Sequence, residues 1–110
     1  MITGEGSLTD GRRAAVVLPL EGDLDAATAT EAQKRLLGLE LQPGDELMLD
    51  LSGLRFMDST GIRLILQARE HALRHGADLR LVRGPEQVMR VLELVGLEEQ
   101  LDVVAELQRL

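Results

Sequence analysis

The chain predicts an α/β layered domain, because short runs rich in Val and Leu alternate with longer stretches whose apolar residues recur every three or four positions. Single turn residues, mostly Gly and Pro, punctuate the two kinds of segment, and no repeat or low-complexity tract interrupts them. At 110 residues and 45% hydrophobic content, the chain has the size of one domain, residues 1–110. Such a chain buries somewhat over ~60% of its unfolded surface, enough for a core without staples. It contains no cysteine, which excludes disulfide frameworks, thiolate metal sites and cysteine nucleophiles.

Residues 1–13 hold Gly4, Gly6 and an Asp10-Gly11 pair, a weak first strand and turn. Ala14 to Leu20 reads as a strand. Pro19 donates no ladder hydrogen bond, so this strand lies near an edge or loses regularity there. Glu21 to Asp25 is a loop, and Asp25 caps a helix from Ala26 to Leu37 with Ala29, Ala32, Leu36 and Leu37 as its apolar stripe and Gly38 as a left-handed stop. Pro43-Gly44 is a turn. Glu46 to Leu51 reads as a strand that ends at Ser52-Gly53. A second long helix follows Asp58, with Arg63, Gln67, Glu70 and Arg74 on a polar face and Ile62, Leu64, Ile65, Ala68 and Ala72 largely opposite, up to Gly76. Asp78 to Arg83 is a strand. Pro85 suits the first turn of a third helix, with Val88, Val91, Leu92 and Val95 as its stripe and Gly96 as its stop. In the tail, Leu101 to Val104 reads as a short strand and Ala105 to Leu110 as a final helical turn or two; helix throughout is the alternative.

The formal charge is −7, unlike the basic surface that displaces counterions from nucleic-acid phosphates. Phe56 is the sole aromatic residue, so stacking platforms for bases or sugars are lacking too. No apolar run approaches the ~18 residues of a membrane span and the first residues lack a signal-peptide core. The expectation is a soluble cytoplasmic protein with neither nucleic acid nor membrane as partner.

The stretch that carries chemistry is Leu49 to Ala68, where strand, short loop and helix meet and place Asp58-Ser59-Thr60-Gly61 at the start of the helix. Two readings compete for this cluster. Asp58 or Ser59 caps the helix, with about 1 kcal/mol at stake. Alternatively Ser59 is a phosphate acceptor, because a phosphate there faces unpaired backbone amides and the positive end of the helix dipole.

The string Phe56-Met57-Asp58-Ser59-Thr60-Gly61-Ile62, with Leu49 to Leu54 before it and the earlier Gly22-Asp23-Leu24-Asp25, resembles the STAS family, in particular the bacterial anti-sigma-factor antagonists. The similarity in element order runs through most of the chain and ends on Pro85, Val88, Leu92, Gly96 and Leu97. It implies a single STAS-like domain with a mixed β-sheet of four to five strands packed with about four helices. It further implies that Ser59 is phosphorylated by an anti-sigma factor with serine-kinase activity, with Thr60 the second choice. The resemblance places Gly22, Asp23, Leu24 and Asp25 beside the phosphorylation loop, on a partner-binding face with Met57, Asp58, Ser59, Thr60, Gly61 and Arg63. The implied function is an anti-sigma-factor antagonist whose unphosphorylated form binds the anti-sigma factor and frees the sigma factor, reset by a phosphatase, as a monomer or weak dimer. The alternative is a STAS subunit of a stress-signalling complex or a cytosolic accessory of a lipid or anion transporter.

Rival chemistries fare worse. On a continuous helix His71 lies about 18 Å from Ser59, against the ~3 Å that proton transfer requires, and Met57 stands where a hydrolase elbow has glycine. The protein is therefore expected not to be an enzyme. His71 and His75 share a helix face, but two ligands make no metal site and Ala72 replaces the Glu of a zincin motif, so they are read as solvated helix-end histidines. The pairs Arg12 with Arg13 and Arg80 with Arg83 are read as solvated positions rather than phosphate clamps. No phosphate-loop string occurs, and neither cofactor nor metal is expected. Phe56 is expected to pack in the core, whereas Met57 admits two placements, buried or exposed as a partner contact.

Overall fold

The computed structural model describes residues 6–9 and 14–105. Within them the order is β1 (Gly6–Thr9), β2 (Ala14–Leu24), α1 (Ala26–Leu37), β3 (Glu46–Met57), α2 (Ser59–Arg74), β4 (Asp78–Val82), α3 (Glu86–Leu94) and β5 (Asp102–Val104). The strands form one sheet in the order β1-β2-β3-β4-β5. β1 pairs antiparallel with β2, and the remaining pairs are parallel, so the sheet is mixed. Three helices are described; the expected fourth falls on residues outside the described ones, as do the Asp10-Gly11 turn and Arg12 with Arg13. Among the described residues no helix is long and apolar enough to cross a membrane.

Sequential parallel strands joined by right-handed crossovers put every connecting helix on the same face of the sheet. The main core accordingly gathers Val16, Leu18, Leu47, Leu49, Leu51 and Leu81 from the strands with Leu36, Leu64, Ile65, Val88 and Leu92 from the helices. On the opposite face a smaller cluster of Ala15, Val17, Met48 and Val82 contains no helical residue. There Arg80 bridges Glu46 at 3.2 Å and Asp102 at 2.8 Å, tying β3, β4 and the three-residue β5 together. Arg80 is thus an ion-pair bridge, not the solvated position expected.

Several expected boundaries move. β2 runs to Leu24 instead of Leu20, and β3 runs to Met57 instead of Leu51. The reason lies in the register. Pro19 pairs with Asp50 and Glu21 with Gly53, then Gly22 with Leu54 and Asp23 with Phe56, so β3 carries an extra residue at each shift. Each β-bulge turns the strand over by one position. The core-facing residues then become Leu51, Leu54 and Met57, three apart, and strict alternation fails as a guide. Asp50 holds the first bulge: its Oδ1 accepts from the Ser52 amide at 3.0 Å and from the Ser52 hydroxyl at 2.7 Å. Pro19 lies past the β1 ladder, immediately before the first shift.

Helix ends follow the expected chemistry in part. Asp25 caps α1, accepting from the Ala27 and Thr28 amides at 3.0 and 3.2 Å, and Thr28 Oγ1 returns the contact by accepting from the Asp25 amide at 3.1 Å. This reciprocal pair is a capping box with Thr in the usual Glu position. Gly38, expected to be left-handed, remains right-handed with φ −82°, and Leu37, assigned to the apolar stripe, is exposed. Gly76 and Gly96 do adopt positive φ, where a side chain is disfavoured. His71 is buried and its Nε2 donates to the Leu39 carbonyl at 3.1 Å; the segment after α1 packs over the end of α2 and removes this ring from solvent.

Asp45 fixes the end of the sheet remote from Ser59. Its buried carboxylate accepts from the Ala14 amide at 3.1 Å and the Gln42 amide at 2.8 Å. Asp45→Ala strands both donors and is expected to lower unfolding free energy by about 1–3 kcal/mol. Asp45→Asn, with one acceptor left, should lose less; urea denaturation of the two variants measures the difference.

Candidate functional site

The site forms where β2 and β3 end side by side. Leu24 pairs with Met57, and the Asp58 amide donates to the Leu24 carbonyl at 3.3 Å. Gly22-Asp23-Leu24-Asp25 therefore lies alongside Met57-Asp58-Ser59-Thr60-Gly61, the adjacency expected from the sequence. Gly22 makes its turn with φ +74°. Thr28 Oγ1 donates to the Asp23 carbonyl at 2.8 Å, and Arg55 pairs with the Asp23 carboxylate at 3.3 Å. This segment, expected to be a loop, is the bulged end of β2, tied both to α1 and to the end of β3.

The capping question resolves on one contact. Asp58 is extended, with φ −111°, and its Oδ1 accepts from the Thr60 amide at 2.8 Å. Its carbonyl accepts from the Gly61 and Ile62 amides at 2.9 and 3.4 Å. Asp58 caps α2; Ser59 is the exposed first residue of the helix, and its hydroxyl engages none of the described residues. Thr60 is half-buried and lines a groove between α1 and α2, so of the two hydroxyls Ser59 is the more accessible.

Beneath this turn Met57 is 2% exposed. A Cβ on Gly61 would overlap Met57 Cγ and come 2.7 Å from Sδ and 3.1 Å from Leu24 Cδ2. Gly61 is therefore glycine because the helix start sits directly on the thioether. Of the two placements open to Met57 the buried one holds, and Leu24 and Gly61, expected on the partner-binding face, also lie below the surface. The second bulge sends Phe56 outward instead; it is 48% exposed rather than in the core. Phe56 is the surface residue that sequence reasoning missed on this face; the Ser52-Gly53 pair marks only the first bulge and reads equally well as a strand end, and no turn residue of β3 marks the second. Asp23, Asp25 and Asp58 are half-buried and Arg63 is exposed, four residues beyond Ser59.

His71 and His75 lie in the last turn of α2, at the end opposite Ser59, with ring centroids 4.7 Å apart. His75 Nδ1 donates to the His71 carbonyl at 2.8 Å. Neither imidazole is placed to take a proton from Ser59.

An exposed, unengaged hydroxyl at a helix start, flanked by the acidic end of β2, on a mixed sheet with all described helices on one face, defines a small α/β module of one sheet and one helical layer. Residues 8–109 match the model of the STAS domain, and the chain belongs to that family. It is 27% identical over 86 residues to the anti-sigma-B factor antagonist of Bacillus subtilis, spanning 78% of each chain. Its fold is similar to that of the anti-sigma factor antagonist SpoIIAA in its unphosphorylated form, with TM-score 0.65, 22% identity and coverage of 93% of this chain and 89% of that one. A SulP transporter STAS domain from Vibrio cholerae matches with TM-score 0.55 and 25% identity over 82% of this chain and 72% of that one.

Two variants test the architecture of the turn. Asp58→Ala removes the cap and is expected to cost about 0.5–2 kcal/mol. Gly61→Ala forces Met57 aside inside a packed core and should cost about 1–3 kcal/mol. Thermal and urea unfolding of both variants give these differences; an unchanged Gly61→Ala protein would contradict the close approach to Met57.

Proposed function

We propose that this chain is an anti-sigma-factor antagonist, a cytoplasmic binding module without enzymatic activity of its own. In the unphosphorylated form it binds an anti-sigma factor that is also a serine kinase, and the sigma factor is released. Phosphorylation of Ser59 ends that binding, and a phosphatase restores it. The observation that carries the reading is the division of labour at the start of α2: Asp58 supplies the cap, leaving the Ser59 hydroxyl exposed and without a structural duty. A relative with the same fold is known in an unphosphorylated form, and the Bacillus relative carries the antagonist name.

The reaction is supplied by the partner. Ser59 Oγ attacks the γ-phosphorus of ATP, the Oγ–P bond forms as the bond to the β-phosphate oxygen breaks, ADP leaves, and the hydroxyl proton passes to a base of the kinase. The chain contributes a rigid, accessible acceptor. Its contact surface comprises Gly22, Asp23, Asp25, Phe56, Asp58, Ser59, Thr60 and Arg63, with Leu24, Met57 and Gly61 supporting it from below.

The switch acts at the surface. A phosphate adds about −1.5 to −2 charges beside Asp58, and like charges brought together at an interface cost several kcal/mol, each ~1.4 kcal/mol being tenfold in affinity. Because the phosphate sits at a helix start, which favours negative charge, the fold accommodates it. Phosphorylated protein is expected to bind the anti-sigma factor at least about a hundredfold more weakly than the bare form. Ser59→Ala should bind as tightly as the bare form and take up no phosphate, and Ser59→Asp should fall between. Calorimetry gives the affinities, mass spectrometry locates the phosphate after incubation with kinase and ATP, and amide NMR spectra report the fold. Phosphate on Thr60 alone, or spectra changed throughout the sheet, would overturn the acceptor assignment or the surface mechanism respectively.

A further inference from the structure

Most arginines with described side chains are engaged. Arg55 pairs with Asp23 at 3.3 Å, Arg74 with Glu70 at 3.4 Å, Arg83 with Glu98 at 3.4 Å, and Arg80 with both Glu46 and Asp102. Arg35 donates to the Pro19 carbonyl at 3.1 Å. Arg63, like Arg69 and Arg90, makes no ion pair or hydrogen bond with the described residues, and of these three it alone stands one turn from Ser59. It is exposed, it lies one helical turn after Ser59, and it borders a groove of about 280 Å³ between α1 and α2. Thr30, Gln33, Thr60 and Gln67 give that groove its polar groups, and no carboxylate lines it. In a chain with net charge −7, this acid-free lining sets Arg63 apart from Arg69 and Arg90, whose surroundings include carboxylates.

Residues four apart on a helix hold their Cβ atoms about 5–6 Å from each other, and an anion N-terminal to a cation at this spacing is the favourable order. A phosphate on Ser59 and the guanidinium of Arg63 meet this condition without any backbone movement, and the guanidinium presents a planar fork that matches phosphate oxygens. We infer that Arg63 is the internal counter-ion of phosphorylated Ser59: free and partner-facing in the bare protein, drawn onto the phosphate in the modified one. The inference rests on the reading of Ser59 as acceptor and extends it. Modification then changes the contact surface twice, adding negative charge at Ser59 and withdrawing the one unpaired cation near it.

The phosphate's own second ionisation reports the contact. The acids gathered at this end of the sheet, Asp23, Asp25 and Asp58, oppose that ionisation, Arg55 is occupied with Asp23, and Arg63 favours it. Phosphoserine encoded at position 59 in the full chain makes the measurement independent of any kinase. By ³¹P NMR titration, the Arg63→Gln protein should show a midpoint about 0.2–0.4 pH unit above that of the protein with Arg63 intact, the size of an exposed pair at this helical spacing. Arg63→Lys should fall between them. Arg74→Gln, which removes the same charge at the other end of α2, should leave the midpoint unchanged, and 1 M salt should shrink the Arg63 effect. Equal midpoints with and without Arg63 overturn the inference. Failure of the anti-sigma kinase to phosphorylate Ser59 overturns the acceptor reading instead, and the encoded phosphate still reports on Arg63.

Discussion

The two bulges of β3 set the geometry on which the site depends. Without them strict alternation from Leu51 would bring Gly53 and Arg55 inward and turn Leu54 out of the core, while Met57 would face inward either way. With them, three apolar side chains at intervals of three keep the main core filled to the end of the strand, and the last of these, Met57, becomes the floor under the first turn of α2. Gly61 then rests on that floor, which fixes where α2 begins and how far Ser59 stands clear of the sheet. The position of one hydroxyl thus follows from the packing of Gly61 on Met57, on a strand whose register against β2 is set by the two bulges.

The sequence made the scaffold legible wherever one residue has one dominant conformation. Asp25 read as a cap, Asp58 or Ser59 as another, Gly76 and Gly96 as stops and the apolar stripe of α2 as a buried face; the structure places these so with Asp58 as the second cap, while in the α3 stripe Val88 and Leu92 are buried and Val95, at the end of the helix, is exposed. The strand ends and the burial of individual side chains were not legible, for a shared physical reason. A bulge leaves no periodic trace, so Ser52-Gly53 looked like an ending and Phe56 looked like core. His71 was misjudged because its partner, the Leu39 carbonyl, comes from a segment 32 residues away. The motif around Ser59 marked the start of α2, but the burial of Met57 and Gly61 beneath that turn was not legible in it.

Charge is distributed unevenly around Ser59. Asp23, Asp25 and Asp58 stand close in the fold, yet each has structural work: Asp23 pairs with Arg55, Asp25 closes the capping box, and Asp58 caps α2. Their negative charges are therefore held in place and cannot swing aside when another anion arrives or when a partner docks. Two unit charges 4 Å apart interact by about 1 kcal/mol in bulk water and about 4 kcal/mol near a protein surface at an effective dielectric constant of ~20. A fixed acidic rim is consequently tolerant of a new phosphate while exposed to solvent and intolerant of it once an interface excludes the water.

On the proposed reading, that contrast is how a phosphate on Ser59 would alter binding without unfolding its carrier. In the free protein the proposed phosphate would be offset by the helix dipole, by solvent and, on the inference above, by the cation one turn away, all of which act at short range. A docked partner removes the solvent contribution and meets a surface whose acids remain pinned by backbone amides and Arg55. The unfavourable interaction then falls on the complex rather than on the fold, because the groups that hold the fold together are buried behind Met57 and do not touch the phosphate. A switch built in this way needs only two properties of its carrier, an unengaged hydroxyl and a rigid floor, and the pairing of Asp58 with Thr60 and of Met57 with Gly61 provides both.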